Sequence, residues 1–154
     1  MKIRTTLAIA VAVCSLFALA ATPSRAQDHG NHSGYMHALT DLRLMRAYLN
    51  RWGDNDRVDD ESQRAIAEID EAMRNIREAR IDDHKQLNDH REIDFHMSQP
   101  ERYHKALEAG RAAAQDVGSE GEWGEQPGLK ERVRGHVEAA NQIVDHIVHR
   151  VEGR

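Results

Sequence analysis

Beyond residue 26 the chain has no cysteine, only two prolines (Pro100 and Pro127) and no apolar run long enough to cross a membrane. Its one thiol, Cys14, sits in the apolar stretch Leu7–Ala21, which follows Lys2 and Arg4 and precedes Ser24-Arg25-Ala26. That arrangement reads as a secretory signal over residues 1–26 with a small-x-small cleavage site, too short and wrongly flanked for a membrane span. Cys14 follows Val13 in mid-run, a poor context for lipid attachment. Cleavage leaves a 128-residue chain, 27–154, without a thiol. Disulfides, thiolate metal clusters, cysteine nucleophiles and covalent c-type haem go with it. Three cations leave with the signal and no anions, so 18 Lys and Arg face 26 Asp and Glu, a net charge of −8. Such a balance disfavours nucleic acid and anionic membrane surfaces as partners, and no membrane insertion is expected after cleavage. The expected location is outside the cell membrane, in a periplasm. All ten histidines remain.

A chain of this length forms one domain with a modest core. Abundant Ala, Glu and Arg and few β-branched runs favour helices. Tyr35, Ala38, Leu42, Met45, Leu49 and Trp52 step by three and four, predicting a helix over 34–52 that Gly53-Asp54-Asn55 ends. Asp60-x-x-Gln63 resembles a capping box ahead of the stripe Ile66, Ile69, Met73, Ile76, a second helix running to about 81. Ser98-Gln99-Pro100-Glu101 is a clearer box, opening a third helix through Tyr103, Ala106, Leu107, Gly110, Ala113 and Val117 that Gly118, Gly121 and Gly124 close. A fourth follows Pro127-Gly128 and turns Leu129, Val133, Val137, Ala140, Val144, Ile147 and Val151 inward. Four amphipathic helices without strands predict an all-α, up-down-up-down four-helix bundle. A shift of 68 residues lays the first helix pair on the second, Tyr35 on Tyr103, Ala38 on Ala106, Arg43 on Arg111 and Ala72 on Ala140, which suggests a duplicated αα-hairpin.

Residues 82–98, DDHKQLNDHREIDFHMS, form a long connection without apolar periodicity. Connections of that length inside a domain are usually functional or disordered. This one concentrates His84, His90 and His96 with Asp82, Asp83, Asp89, Asp94 and Met97. In an up-down-up-down bundle it shares one pole with the start of helices 1 and 3 and the ends of helices 2 and 4. His29, His32, His37, His84, His90, His96, His104, His146 and His149 would then gather there, leaving His136 as a core residue paired with Glu68 or Asp70.

Imidazole and carboxylate suit Zn²⁺, Cu²⁺ and Ni²⁺, and a Met thioether adds Cu(I). His146 and His149 stand one turn apart, and His37 with Asp41 and His104 with Glu108 are i, i+4 pairs in which a carboxylate can orient an imidazole. The candidate metal ligands are therefore His37, Asp83, His90, Asp94, His104, His146 and His149. Competing roles are ordinary: frayed-terminus histidines for His29 and His32, favourable cations at a helix C-terminus for His146 and His149. Trp52 and Trp123 would cap the core at the far pole, and Arg43 and Arg46 would pair with Asp70 or Glu138. Glu101-x-x-His104 matches half of a di-iron carboxylate signature, without the second half. No nucleophile is paired with an activating base, and no H-E-x-x-H, G-x-S-x-G, P-loop or G-x-G-x-x-G occurs, so catalysis is not expected.

The strings His37-Ala-Leu-Thr-Asp-Leu-Arg43, Ala65-Ile-Ala-Glu-Ile-Asp-Glu-Ala72, Ile81-Asp-Asp-His-Lys-Gln-Leu-Asn-Asp-His90, His104-Lys-Ala-Leu107 and Arg134-Gly-His136 resemble a group of small exported bacterial four-helix proteins without an assigned activity. The resemblance implies that His37, Asp83, His90, Asp94, His104 and His136 are better site candidates than His29, His32 or His96. The group carries Gly where this chain has His84, and Pro after the residue matching His90. A looser similarity is to small periplasmic metal-binding proteins, whose regular short His repeats this chain lacks.

Three functions follow as expectations. The first is a non-enzymatic periplasmic bundle binding copper, zinc or nickel. The second is a b-type haem protein with Met36 or His37 and His146 as axial ligands and Gly110, Ala113 and Ala114 leaving room for the porphyrin. The third is a structural or partner-binding module whose histidines respond to pH.

Overall fold

The four apolar stripes turn inward as four helices: α1 Ser33–Leu49, α2 Asp60–Glu78, α3 Gln99–Ser119 and α4 Leu129–Glu152. The computed structural model describes residues 32–50, 60–94, 96–122 and 124–153. Residues 1–26, where the sequence leads one to expect a signal, and His29, Trp52 and Trp123 lie outside the described residues, among which there is no strand. Tyr35, Leu39, Leu42, Met45, Ile69, Met73, Ile76, Val133 and Ile147 are all within 1% of complete burial. Each such aliphatic side chain contributes about 1.5–3 kcal/mol, against about 0–1 kcal/mol for an exposed ion pair, so the stripes and not the charged surface hold the bundle together.

The helix ends are fixed by local chemistry. Asp60 and Glu61 occupy the first turn of α2, where the helix dipole favours anions. Ser98 is the extended N-cap of α3, with Pro100 in the first turn. Its hydroxyl makes no capping bond; the Ser98 carbonyl instead accepts from Arg102 N–H at 3.0 Å. The N-terminus of α1 is capped from another helix: the Glu120 carboxylate, just past α3, accepts from Gly34 N–H at 2.6 Å and Tyr35 N–H at 3.3 Å. α2 stops at Glu78, short of the predicted end. Arg80 takes a left-handed φ of 62°, its N–H donates to Arg77 O, and Ile81 N–H reaches back to Ile76 O at 3.3 Å. This is a Schellman stop with Ile81 buried beside the helix it ends.

The helices form a bundle, with the order of directions differing from up-down-up-down. Glu120 meets the start of α1 while Arg102, at the start of α3, donates to Tyr48 O near the end of α1, so α1 and α3 are antiparallel neighbours. His136 with Glu68 and His146 with Glu61 make α2 and α4 antiparallel neighbours. Lys130 donates to Gly118 O and Glu120 O, and His104 meets Glu152, completing an antiparallel α3/α4 hairpin. The directions are therefore up, down, down, up. α3 starts at the end of the bundle opposite to where α2 finishes, so residues 79–98 must cross its length. The 17 residues of α1 rise about 26 Å, and a near-extended chain of that many residues spans well over this distance.

This order suits a duplicated hairpin. Shifted by 68 residues, α1 falls on α3 and α2 on α4, and each helix packs antiparallel against its own counterpart. Glu68 and His136, related by that shift, touch at 2.7 Å, as a pair beside an approximate two-fold axis perpendicular to the helices must.

Arg80 occupies a position that favours glycine. Arg80→Gly is expected to stabilise the protein by about 1 kcal/mol, read as a raised thermal midpoint with unchanged helical circular dichroism.

Candidate functional site

Arg43 projects from the buried stripe of α1 and is completely buried. An unpaired guanidinium there would be prohibitive, and its partner comes from the crossing connection. Arg43 Nη1 and Nη2 each donate to one oxygen of Asp83 at 2.5 Å, and Nη2 also reaches Lys85 O at 3.4 Å. Burial alone would raise the Asp83 carboxyl; the Arg43 hydrogen bonds, the Lys85 amide and the guanidinium charge outweigh it and hold Asp83 below the usual carboxylate range. The backbone folds around this anchor through two successive Asx turns, His84 N–H to Asp82 at 3.0 Å and Lys85 N–H to Asp83 at 3.2 Å. They place His84 at a φ of 57°, a conformation in which glycine is at ease.

Past this anchor the connection runs along the second half of α1. Arg46 donates through Nε to Asp70 of α2 at 2.8 Å and through Nη1 to Asn88 at 3.4 Å. Leu87 packs on the core and Ile93 is 8% exposed. Between the connection and α1 lies a cavity of about 440 Å³. Its walls carry Arg43, Arg46, Ala47 and Asn50 from α1, and Arg102 from the start of α3. The connection adds Leu87, Asn88, His90, Ile93 and Asp94. His90 Nδ1 lies 2.8 Å from its neighbour's carbonyl, which can only accept, so Nδ1 donates there and Nε2 is the ring nitrogen left to meet a ligand. Asp94 accepts the His96 N–H at 2.8 Å.

The expected pole of histidines does not assemble. It depended on up-down-up-down directions, and the observed order separates His37, near the start of α1, from His104, His146 and His149 at the other end. Most histidines in the helices meet a carboxylate instead of one another. His104 pairs with Glu152 at 2.7 Å, while Glu108 is held by Lys105. His146 faces Glu61 at 3.2 Å and His149 faces Asp145 at 3.4 Å, so the two do not converge. The Asp145 carbonyl, then the Asp145 charge, hold the exposed His149 imidazole above the ordinary range. His136 meets Glu68, as the sequence indicates, but is about one-third exposed and not core. His32 lies 3.3 Å from Glu120. Among the described residues no three His, Cys, Asp or Glu side chains converge as metal ligands do.

His37 and His146, the suggested haem ligands, stand at opposite ends of parallel helices. A Cβ on Gly110 would overlap the Asn141 carboxamide and the Met45 sulfur, so this space is already filled. Arg46 takes Asp70 as expected, whereas Arg43 takes Asp83, which places both oxygens of that candidate ligand in an ion pair. His90 and Asp94 are the two candidate ligands that share a cavity wall.

Reasoning from the sequence missed Arg102, 4% exposed at the head of α3, because nothing in its spacing separates it from a surface arginine. Leu87 and Ile93 offered a signal, two apolar residues in an otherwise polar connection, that they pin it to the bundle. The chain matches no protein-family profile, no curated protein and no solved structure.

Asp83→Asn is expected to destabilise the protein by about 3 kcal/mol at pH 7, because it leaves Arg43 buried beside a neutral partner. Since the folded carboxyl lies below its unfolded value, this contribution is complete above about pH 4 and is lost as pH falls through the folded value. Urea unfolding of both proteins should show their difference shrinking in acid.

Proposed function

We propose that the mature chain is an exported, non-enzymatic four-helix protein that binds a small molecule in the cavity between the crossing connection and α1. The observation that carries this reading is the cavity itself: about 440 Å³, within the range of small-molecule pockets, with apolar walls and a few convergent polar groups. The lack of a nucleophile paired with a base supports binding over catalysis, and residues 1–26 support export. The approximate two-fold adds a reason. α3 and α4 pack closely, whereas α1 and α2 touch far less and the connection lies beside them. The cavity thus occurs in the half that has departed from its counterpart.

The test is a fragment screen by amide chemical shifts on the isotope-labelled mature chain. Ligands should move resonances in 43–50 and 87–94, and Ala47→Phe, which fills the cavity, should abolish those shifts while the protein stays folded. A screen in which no compound moves those residues overturns the reading.

A second reading, the binding of copper, zinc or nickel, is favoured by one specific observation away from the cavity. Burial, and then the charge of Asp116, raise the Asp41 carboxyl; the two acids share a hydrogen bond between them, and His37 stands one turn away on α1. A divalent cation in place of the shared proton would relieve that repulsion, and His37, which does not converge with the two acids as they stand, would turn toward it as the nitrogen ligand. Mass spectrometry after equilibration with each ion should then show stoichiometric binding at micromolar concentration. The binding should fall at least tenfold in the His37→Ala, Asp41→Asn double variant.

A further inference from the structure

We propose that the cavity selects a small organic anion, a carboxylate carried on a compact apolar body, a specificity that rests on the ligand-binding reading above. Among the described residues that line it are three arginines and one carboxylate, Asp94; the carboxylates that pair with two of the arginines, Asp83 with Arg43 and Asp70 with Arg46, are not among them. Hydrogen-bonding capacity is skewed the same way. Arg43, Arg46 and Arg102 only donate, Asn50 and Asn88 donate as well as accept, and of the acceptors His90 offers Nε2 while Asp94 already accepts the His96 amide. A ligand rich in acceptor oxygens matches this wall, and an ammonium does not.

Two details strengthen the match. Arg43 keeps a buried Nε–H without an acceptor, although both of its terminal nitrogens are satisfied by Asp83. A buried donor left without an acceptor costs about 1–3 kcal/mol, which a ligand oxygen would recover. Arg46 holds Asp70 through Nε alone, and its Nη1 contact with Asn88 is long at 3.4 Å, so the terminal fork can turn to a carboxylate without breaking the Asp70 bond. Ala47, Leu87 and Ile93 supply the apolar part of the wall, which disfavours a bare inorganic anion and favours a hydrocarbon or aromatic body.

The proposal is tested with three matched sets of probes on the mature chain: hexanoate and benzoate, the amides hexanamide and benzamide, and the amines hexylamine and benzylamine. Amide shifts of residues 87–94 report site and affinity together. At least one carboxylate should bind at least tenfold more tightly than its amide and amine. Arg46→Gln should remove that preference without altering the weak binding of the amide. Arg111→Gln, on the matching face of the second hairpin, where Arg111 pairs at the surface with Asp145, should leave it intact. Amides or amines that bind these residues as tightly as the carboxylates overturn the anion specificity and leave the ligand cavity standing. No shift at residues 87–94 with any probe overturns this inference, and the fragment screen then decides separately whether the cavity binds anything. A preference that survives Arg46→Gln also overturns it.

Discussion

The ion pair between Arg43 and Asp83 is the constraint around which this molecule is arranged. A guanidinium with no exposed surface has to be neutralised where it lies, and the carboxylate that does so is 40 residues away, beyond the end of α2. Satisfying Arg43 draws residues 82–85 onto α1 and commits the chain to a path along the bundle. From there the connection reaches the far end, and α3 starts at the end where α1 finishes. The crossing, the up-down-down-up order and the cavity beneath the connection share this one contact as their anchor. The pair's contribution is architectural: replacing both partners with well-packed apolar residues can be neutral for stability, but it would remove the reason for the connection to lie on α1.

Approximate two-fold packing explains why the other half has no such feature. Arg111 stands where Arg43 stands in the first hairpin, and it lies at the surface with Asp145. Gly110 is its neighbour, drawn close to α4 by a bond from Asn141 to the Gly110 carbonyl at 3.0 Å. Close approach of α3 and α4 leaves no gap to line. In the first hairpin the buried arginine and the connection occupy the side where α1 and α2 would otherwise close together. One hairpin is thus closed by direct helix packing, and the cavity lies beside α1 of its counterpart.

The stripes made the four helices and the long connection legible, because their periods of three and four depend only on which face is apolar. The 68-residue shift was legible too, since it lays α1 within α3 and α2 on the first three-quarters of α4. Helix direction was not. Nothing in Leu39 or Ile69 distinguishes up-down-up-down from up-down-down-up, because both orders bury the same faces against antiparallel neighbours. The signal for direction lies in charged pairs far apart in sequence, Arg43 with Asp83 and Glu120 with the first amides of α1, which local spacing does not reveal. The gathering of histidines inherited that error. His90 and Asp94 come together because the connection carries both; His37 parts from His104 because direction decides it.

The same charged contacts favour the observed order over its alternative. With α3 reversed, Glu120 would leave the start of α1, exposing the amides of Gly34 and Tyr35, and Arg102 would leave Tyr48. With α4 reversed, His136 would lose Glu68, and Arg150 would lose Glu61, which it now reaches at 2.9 Å. Each such contact is worth about 1 kcal/mol or less at the surface. The apolar stripes bury the same faces in either order, so these small contacts act together with the buried Arg43–Asp83 pair in choosing between them. Histidines distributed singly, most of them opposite a carboxylate, therefore serve a purpose that a cluster would not: they mark which helix end belongs beside which, in a chain with no disulfide to do so.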